Sequence, residues 1–478
     1  MIRSNSDNKS FYYIIIIISI LVWGVAKFLI TDHNDNMYIA SLSNTCINYA
    51  CNAFVQMPYY FILKIFTYFQ IFDTYLFLKI ISILCFITTI LVLKKIFNEN
   101  KTFIIFICLV IINPILTSGA NEIGNYTYTY LFLTLTIINI FKNKMPLLTG
   151  IFFAISIGFK LSSLIFLPMA FFWKTKKDFT LMSLGLAIGL FPILFWVDDY
   201  FYLNNFLFHS ELTANQRDSN FSYFDVFQHL QTISNIFSIQ FIRIKMFLFN
   251  LLLLFLIFLK LRELNWTKIK FNYENIFVIT LLICCILVPL SAKVAVNQYL
   301  IPLNIVISII VAKFFYLNGR IVYLIIFFSI LINSHSIYDV SSKQISSINI
   351  YKIRKKISDN ITEGIFSNNI YSYSGTLTSF ISSFKNYQDS GIFYPRLGNV
   401  INSYDYSFNE YYYKSIYPHE NIKSLPNQLV VGEYNHNNYY INLEKKLIES
   451  FIDNYDTVKK IYLGNLGNKK IYLYKGTN

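Results

Sequence analysis

The chain has 478 residues, 55% of them hydrophobic, 18% aromatic and only 14% charged, with a formal net charge of +14. Soluble globular chains run at about 45–50% apolar and about 25% charged, so composition argues against both soluble globular and disordered classes. Its basic residues sit between apolar runs rather than on one face, which argues against nucleic acid as a partner.

Apolar runs occupy residues 11–30, 74–93, 102–118, 125–141, 147–173, 179–197, 246–259, 275–290, 299–315 and 321–333. Runs of this length and number predict a polytopic α-helical membrane protein. The first lacks a small-residue cleavage pattern and reads as a spanning anchor. Residues 1–10, 94–101, 141–146, 173–180, 260–274 and 313–320 hold 16 Lys and Arg in 55 positions. The intervening loops 31–73, 118–125, 198–245 and 291–298 hold 5 in 107. Basic loops face the cytoplasm, so the N-terminus is predicted inside a cell (inner) membrane.

The run 147–173 breaks the alternation. Lys142 and Lys144 precede it, and Lys174, Lys176 and Lys177 follow it. A hairpin turning near Gly158–Lys160 keeps both clusters on one side. Each arm then has about 13 residues, too short for a full span at the α-helical rise of about 1.5 Å per residue. An apex inside the bilayer is tolerated only under cover of protein or a water-filled cavity. With this split there are about eleven hydrophobic helices, and the domain 1–334 ends with its chain outside.

Residues 335–478 are rich in Asn, Ser, Tyr and charge and contain no spanning run. The stretches 428–433, 459–463 and 469–474 read as strands, and 442–455 as an amphipathic helix. A small extracytoplasmic α+β domain is expected. Cys85, Cys108, Cys284 and Cys285 lie in apolar runs and read as small core hydrophobes. Cys46 and Cys51 share an outer loop and can form a disulfide in an oxidising compartment. Gly185 and Gly189 form a small-xxx-small pair, read as helix packing.

The polar groups of the outer rim are the candidates for chemistry. The first outer loop opens Thr31-Asp32-His33-Asn34-Asp35-Asn36-Met37-Tyr38. Asp32 and Asp35, three apart, share a face if a helix starts there, and a partly desolvated carboxylate can act as a general base. Equally, these residues fit a helix N-cap. Glu122 is the one charge of the loop 118–125, and with the first-loop acids it suggests an acceptor or metal site. Lys160 is the sharpest single residue, because an ammonium within an apolar run costs about 2.5–3.5 kcal/mol. A phosphate would compensate it; snorkelling to the interface is the alternative. Loop 198–245 carries His209 and Arg217, and Asn297-Gln298-Tyr299-Leu300-Ile301-Pro302 closes the last outer loop.

These motifs resemble the GT-C fold, the multispanning glycosyltransferases that include the protein O-mannosyltransferases and lipid A aminoarabinose transferases. Asp35-Asn36-Met37-Tyr38 resembles the family's first-loop Asp-Glu pair followed by an aromatic, with Asn36 in place of the second acid. Gly158-Phe159-Lys160-Leu161 is similar to its Thr-Lys segment, with Phe159 replacing Thr. Asn125 stands where many members carry Asp, so Glu122 takes that role. Gln298-Tyr299-Leu300-Ile301-Pro302 resembles Arg-Tyr-Leu-x-Pro, with Gln298 replacing Arg. His209 to Arg217 resembles the region after the seventh helix, where a basic residue is frequent.

The resemblance implies a polyprenyl-phosphate-linked sugar donor, a cell-surface glycan or glycolipid acceptor, and reaction at the outer face. Asp35, with Asp32, would serve catalysis; Glu122 and Asn125 would face the acceptor or a metal. Lys160, Arg217, His209, Gln298 and Tyr299 would bind the donor phosphate. No cofactor is required, although a divalent cation can assist. A polysaccharide polymerase or ligase, and a lipid-linked sugar transporter or flippase, are the alternatives; the flippase expects an internal repeat and midplane site. The predicted topology makes a cysteine at Ser424 reactive toward an impermeant reagent outside intact cells, and protection there would overturn it.

Overall fold

The computed structural model describes residues 74–113, 126–195, 273–291 and 297–314, with 370–372, 428–434, 455–466 and 469–477 and a few single positions besides. Among these residues there are seven α-helices: α1 Thr74–Leu93, α2 Asn100–Ile112, α3 Tyr126–Lys142, α4 Pro146–Phe159, α5 Lys176–Phe195, α6 Tyr273–Ser291 and α7 Ile301–Phe314. A long 3-10 helix, Leu161–Phe172, follows α4, and short 3-10 turns cover Lys94–Ile96 and Asn297–Leu300. The chain packs as two compact units; the helices from Ile81 onward belong to one and the strands to the other.

Two clusters form the helical core. Phe86 of α1, Phe106 and Leu109 of α2 and Ile301 and Ala312 of α7 share the first. Ile140 of α3, Phe153 of α4, Met169 of the 3-10 helix and Cys285 of α6 share the second. Cys108, Cys284 and Cys285 are buried thiols and Cys85 is half-buried, as the apolar runs imply. The outer surface is apolar as well. Leu164, Leu167 and Phe171, Leu184, Ile188 and Phe191, and Ile276, Ile279, Ile283 and Ile286 lie exposed at helical spacing, Phe171 to 76%. Such stripes suit hydrocarbon rather than water. One stretch among the described residues, Tyr273–Leu290, is long and apolar enough to cross a membrane alone; Thr102–Ile111, Pro146–Phe159, Leu161–Phe172 and Ile301–Lys313 are apolar but shorter.

The segment 147–173 is a hairpin. α4 ends at Phe159, Lys160 is extended (φ −158°, ψ 119°), and the 3-10 helix returns. Its two ends meet, because the backbone N–H of Lys174 donates to Asn143 Oδ1 at 3.1 Å. The return arm differs from the expected second α-helix. At about 2.0 Å rise, its 12 residues cover about 24 Å, whereas the 14 residues of α4 cover about 21 Å at 1.5 Å. An α-helical return of 12 residues would cover about 18 Å and stop about half a turn short of α4's length. Pro168 lies within this arm, and Pro removes an i→i−4 bond from an α-helix.

After the hairpin the chain turns into α5, which runs parallel to α4 in close contact. A Cβ on Gly185 would stand 2.0 Å from the Leu147 carbonyl oxygen, and one on Gly189 2.5 Å from Ala154 Cβ. Gly150 answers from α4, where a Cβ would lie 2.0 Å from the Met182 carbonyl oxygen. Trp173 Nε1 donates to Met182 Sδ at 2.8 Å and fastens the turn.

The other unit contains a four-stranded sheet in the order β1 (Ile370–Ser372), β2 (Gln428–Tyr434), β4 (Lys469–Thr477), β3 (Thr457–Leu466). β1 runs parallel to β2, and the other pairs are antiparallel. The three sequence-predicted strands are present, each longer than its apolar signal; β1 is additional. Ile471 and Leu473 are fully buried on one face, with Ile461 opposite Leu473. A bulge at Tyr462/Gly464 breaks the β3 register, and Gly464 has φ 153°, which favours glycine. The ring of Tyr455 rests on Gly476, and burial raises its phenol above the ordinary range. Nearly all of the expected helix 442–455, and Cys46 and Cys51, lie outside the described residues.

Gly185→Leu should cost about 1–3 kcal/mol through overpacking, read as a lower thermal unfolding midpoint in detergent. Leu184→Ala on the exposed side should change it little. Equal midpoints for Gly185→Leu and the unsubstituted protein would contradict the α4–α5 contact.

Candidate functional site

The hairpin apex is where the helical unit places a charge. A helix ending inside an apolar bundle leaves carbonyls that no water can satisfy. Here the chain supplies the partners itself. The Ser156 carbonyl accepts the Lys160 N–H and the Ser163 hydroxyl, both at 3.0 Å. The Lys160 carbonyl in turn accepts the Ser163 N–H at 3.0 Å. Ser156 Oγ donates to the Phe153 carbonyl at 2.8 Å. Both serines are buried. The break is therefore a bonded corner.

Aromatic rings fix this corner against α3. Phe159 stacks on Tyr128 at 5.3 Å and on Phe132 at 5.9 Å between ring centres. Tyr128 and Phe132 are one helical turn apart and so share a face. One residue on, the Lys160 ammonium lies 3.4 Å from the ring centre of Tyr126 and 4.2 Å from that of Tyr299. The two tyrosine rings meet edge to face at 6.1 Å and 87°. Offset and edge-to-face pairs are the favoured aromatic geometries, and a cation over a ring face is attracted by the ring quadrupole. Lys160 is half-buried.

Tyr299 comes from the 3-10 turn Asn297–Leu300 that leads into α7. Pro302 stands in the first turn of that helix, as expected of helix-start chemistry. One turn farther, buried Asn304 accepts a hydrogen bond from Asn113 Nδ2 at 2.8 Å, and its own amide donates to the Leu300 carbonyl at 2.9 Å. This amide pair ties the end of α2 to the start of α7, directly below Tyr299.

The opposite end of the unit is basic. Lys142 and Lys313 flank the Phe141 ring at 5.3 and 5.7 Å, and Lys174 approaches Tyr273 at 6.0 Å. Tyr273 also donates to the Phe172 carbonyl. Lys160 is thus separated from these lysines by the length of α4.

Of the residues singled out from the sequence, Lys160 and Tyr299 are brought together. Gln298 shares the backbone turn of Tyr299. Asp32, Asp35, Glu122, Asn125, His209 and Arg217 lie outside the described residues. Sequence reasoning missed Tyr126, and also the serines that bond the corner. Among the described residues, no three His, Cys, Asp or Glu side chains gather as a metal-binding group.

No protein-family profile matches the chain. No curated protein matches it either. Among solved structures, it is similar to the crystal structure of ArnT from Cupriavidus metallidurans in the apo state, with a TM-score of 0.56 and 9% identity over 98% of each chain. At that identity the likeness is one of fold, and the fold is that of a polytopic membrane protein. The chain thus resembles ArnT in its fold.

Proposed function

We propose that this protein is an integral membrane glycosyltransferase that moves a sugar from a polyprenyl-phosphate carrier to a cell-surface glycan or glycolipid. The observation that carries this reading is the Lys160 ammonium, held between Tyr126 and Tyr299 at the end of the bundle away from Lys142, Lys174 and Lys313. The likeness to a transferase favours it over a transporter or flippase.

In this reading about eleven helices cross or enter the inner membrane, with the N-terminus inside. The basic end faces the cytoplasm, the Lys160 end faces outward, and residues 335–478 form an extracytoplasmic α+β domain. The donor's lipid tail lies in hydrocarbon and its phosphate meets Lys160 and Tyr299. Lysine recognises phosphate as a point charge, and the apolar surroundings strengthen the attraction. Arg217, His209 and Gln298 add further donors to the same phosphate.

The reaction is a single displacement. The Asp35 carboxylate takes the proton of an acceptor hydroxyl, whose oxygen bonds to the anomeric carbon from the face opposite the phosphate. The anomeric carbon–oxygen bond to phosphate breaks, and polyprenyl phosphate leaves with the electron pair. Configuration at the anomeric carbon inverts. The leaving group is already a weak base, so cations rather than a strong acid stabilise its charge. Asp32, Glu122 and Asn125 orient the acceptor; the acids are also where a divalent ion would be held. No resident cofactor is assigned.

A general base contributes about 10²–10⁴-fold, so Asp35→Asn should lower transfer in membranes by at least about 100-fold while donor binding persists. Lys160→Ala should weaken donor binding. Mass spectrometry of surface glycans reads the first effect, and titration with donor lipid the second. Full transfer by Asp35→Asn removes the base; unchanged donor affinity in Lys160→Ala removes the phosphate site.

A further inference from the structure

We propose that Tyr126 is a positioning residue for the carrier phosphate, acting through Lys160. The inference rests on the preceding reading of Lys160 and Tyr299, and adds a residue which that reading does not use.

Two observations point to it. The backbone of Lys160 is fixed by hydrogen bonds to Ser156 and from Ser163. The remaining freedom lies in its four-carbon stem, which can otherwise carry the charge toward the membrane interface. Tyr126 removes that freedom. Its ring centre is 3.4 Å from the ammonium, closer than that of Tyr299 at 4.2 Å. Tyr126 also meets Tyr299 edge to face, so one ring touches both groups assigned to the phosphate.

Tyr126 is itself well anchored. It is the first residue of α3, and that first turn is locked two residues on by the stack of Tyr128 on Phe159, the residue before Lys160. Ring and ammonium therefore belong to one rigid corner. A ring face attracts the cation without neutralising it. The ammonium is aimed before the phosphate arrives, and less side-chain ordering remains to be done on binding.

The experiment is equilibrium binding of a polyprenyl phosphate to the full-length protein in detergent micelles. Tyr126→Phe keeps the ring and should bind within about twofold of the unsubstituted protein. Tyr126→Leu removes the quadrupole and should bind about tenfold more weakly, equivalent to about 1.4 kcal/mol. Mono-, di- and trifluorinated phenylalanines at position 126 keep the shape and weaken the ring face in steps, so affinity should fall in the same order. This series decides the matter even if Tyr126→Leu does not fold. In a Lys160→Gln background, Tyr126→Leu should have no further effect.

The inference is overturned by a flat fluorination series, by a Tyr126→Phe loss as large as that of Tyr126→Leu, or by an undiminished Tyr126→Leu effect in the Lys160→Gln background. Undiminished binding by Lys160→Gln would instead overturn the phosphate site on which it rests.

Discussion

One ammonium placed inside an apolar bundle organises the rest of this structure. A charge in a spanning segment costs about 2.5–3.5 kcal/mol on insertion scales. The fold meets that cost at Lys160 with two tyrosine faces, at 3.4 and 4.2 Å. To bring Tyr126 and Tyr299 to the same point, the start of α3 and the turn before α7 must both reach the apex of the α4 hairpin. The stack of Tyr128 and Phe132 on Phe159 holds the first, and the Asn113–Asn304 amide pair secures the start of α7 just below the second.

The second constraint is the backbone. Inside hydrocarbon, a helix cannot end without partners for its last carbonyls. Ser156 and Ser163 answer this within seven residues of each other, one bonding through its carbonyl and the other through both its N–H and its hydroxyl. The stretched 3-10 return then restores the chain to the level at which it entered, where Asn143 and Lys174 meet. Close packing of α4 on α5 through Gly150, Gly185 and Gly189 braces the hairpin from outside.

Much of this was legible in the sequence. Lysines at both ends of 147–173 required the segment to turn back, and the lone cation within it marked the place. The paired glycines of α5 stand where two backbones touch. Alternation in 428–433 and 469–474 found two strands, and the bulge at Gly464 explains why the apolar signal of β3 ended early. Other features carried no signal. With 47 Phe and 37 Tyr in the chain, nothing distinguished Tyr126 from its neighbours; only the fold turns its ring toward Lys160. Pro168 alone does not announce a 12-residue 3-10 helix. Serines in an apolar run look ordinary until a broken helix needs their hydrogen bonds. The rim acids, with Asp35 foremost, lie outside the described residues.

The account therefore comes down to where a carrier's phosphate goes. The most direct measurement is a cryo-electron microscopy structure of the protein in lipid nanodiscs with a polyprenyl phosphate bound. The account predicts phosphate density in charge-assisted contact with the Lys160 ammonium, about 2.7–2.9 Å between nitrogen and oxygen, with the Tyr126 ring still against the lysine. Phosphate density at the Lys142, Lys174 and Lys313 end, with nothing beside Lys160, would contradict it.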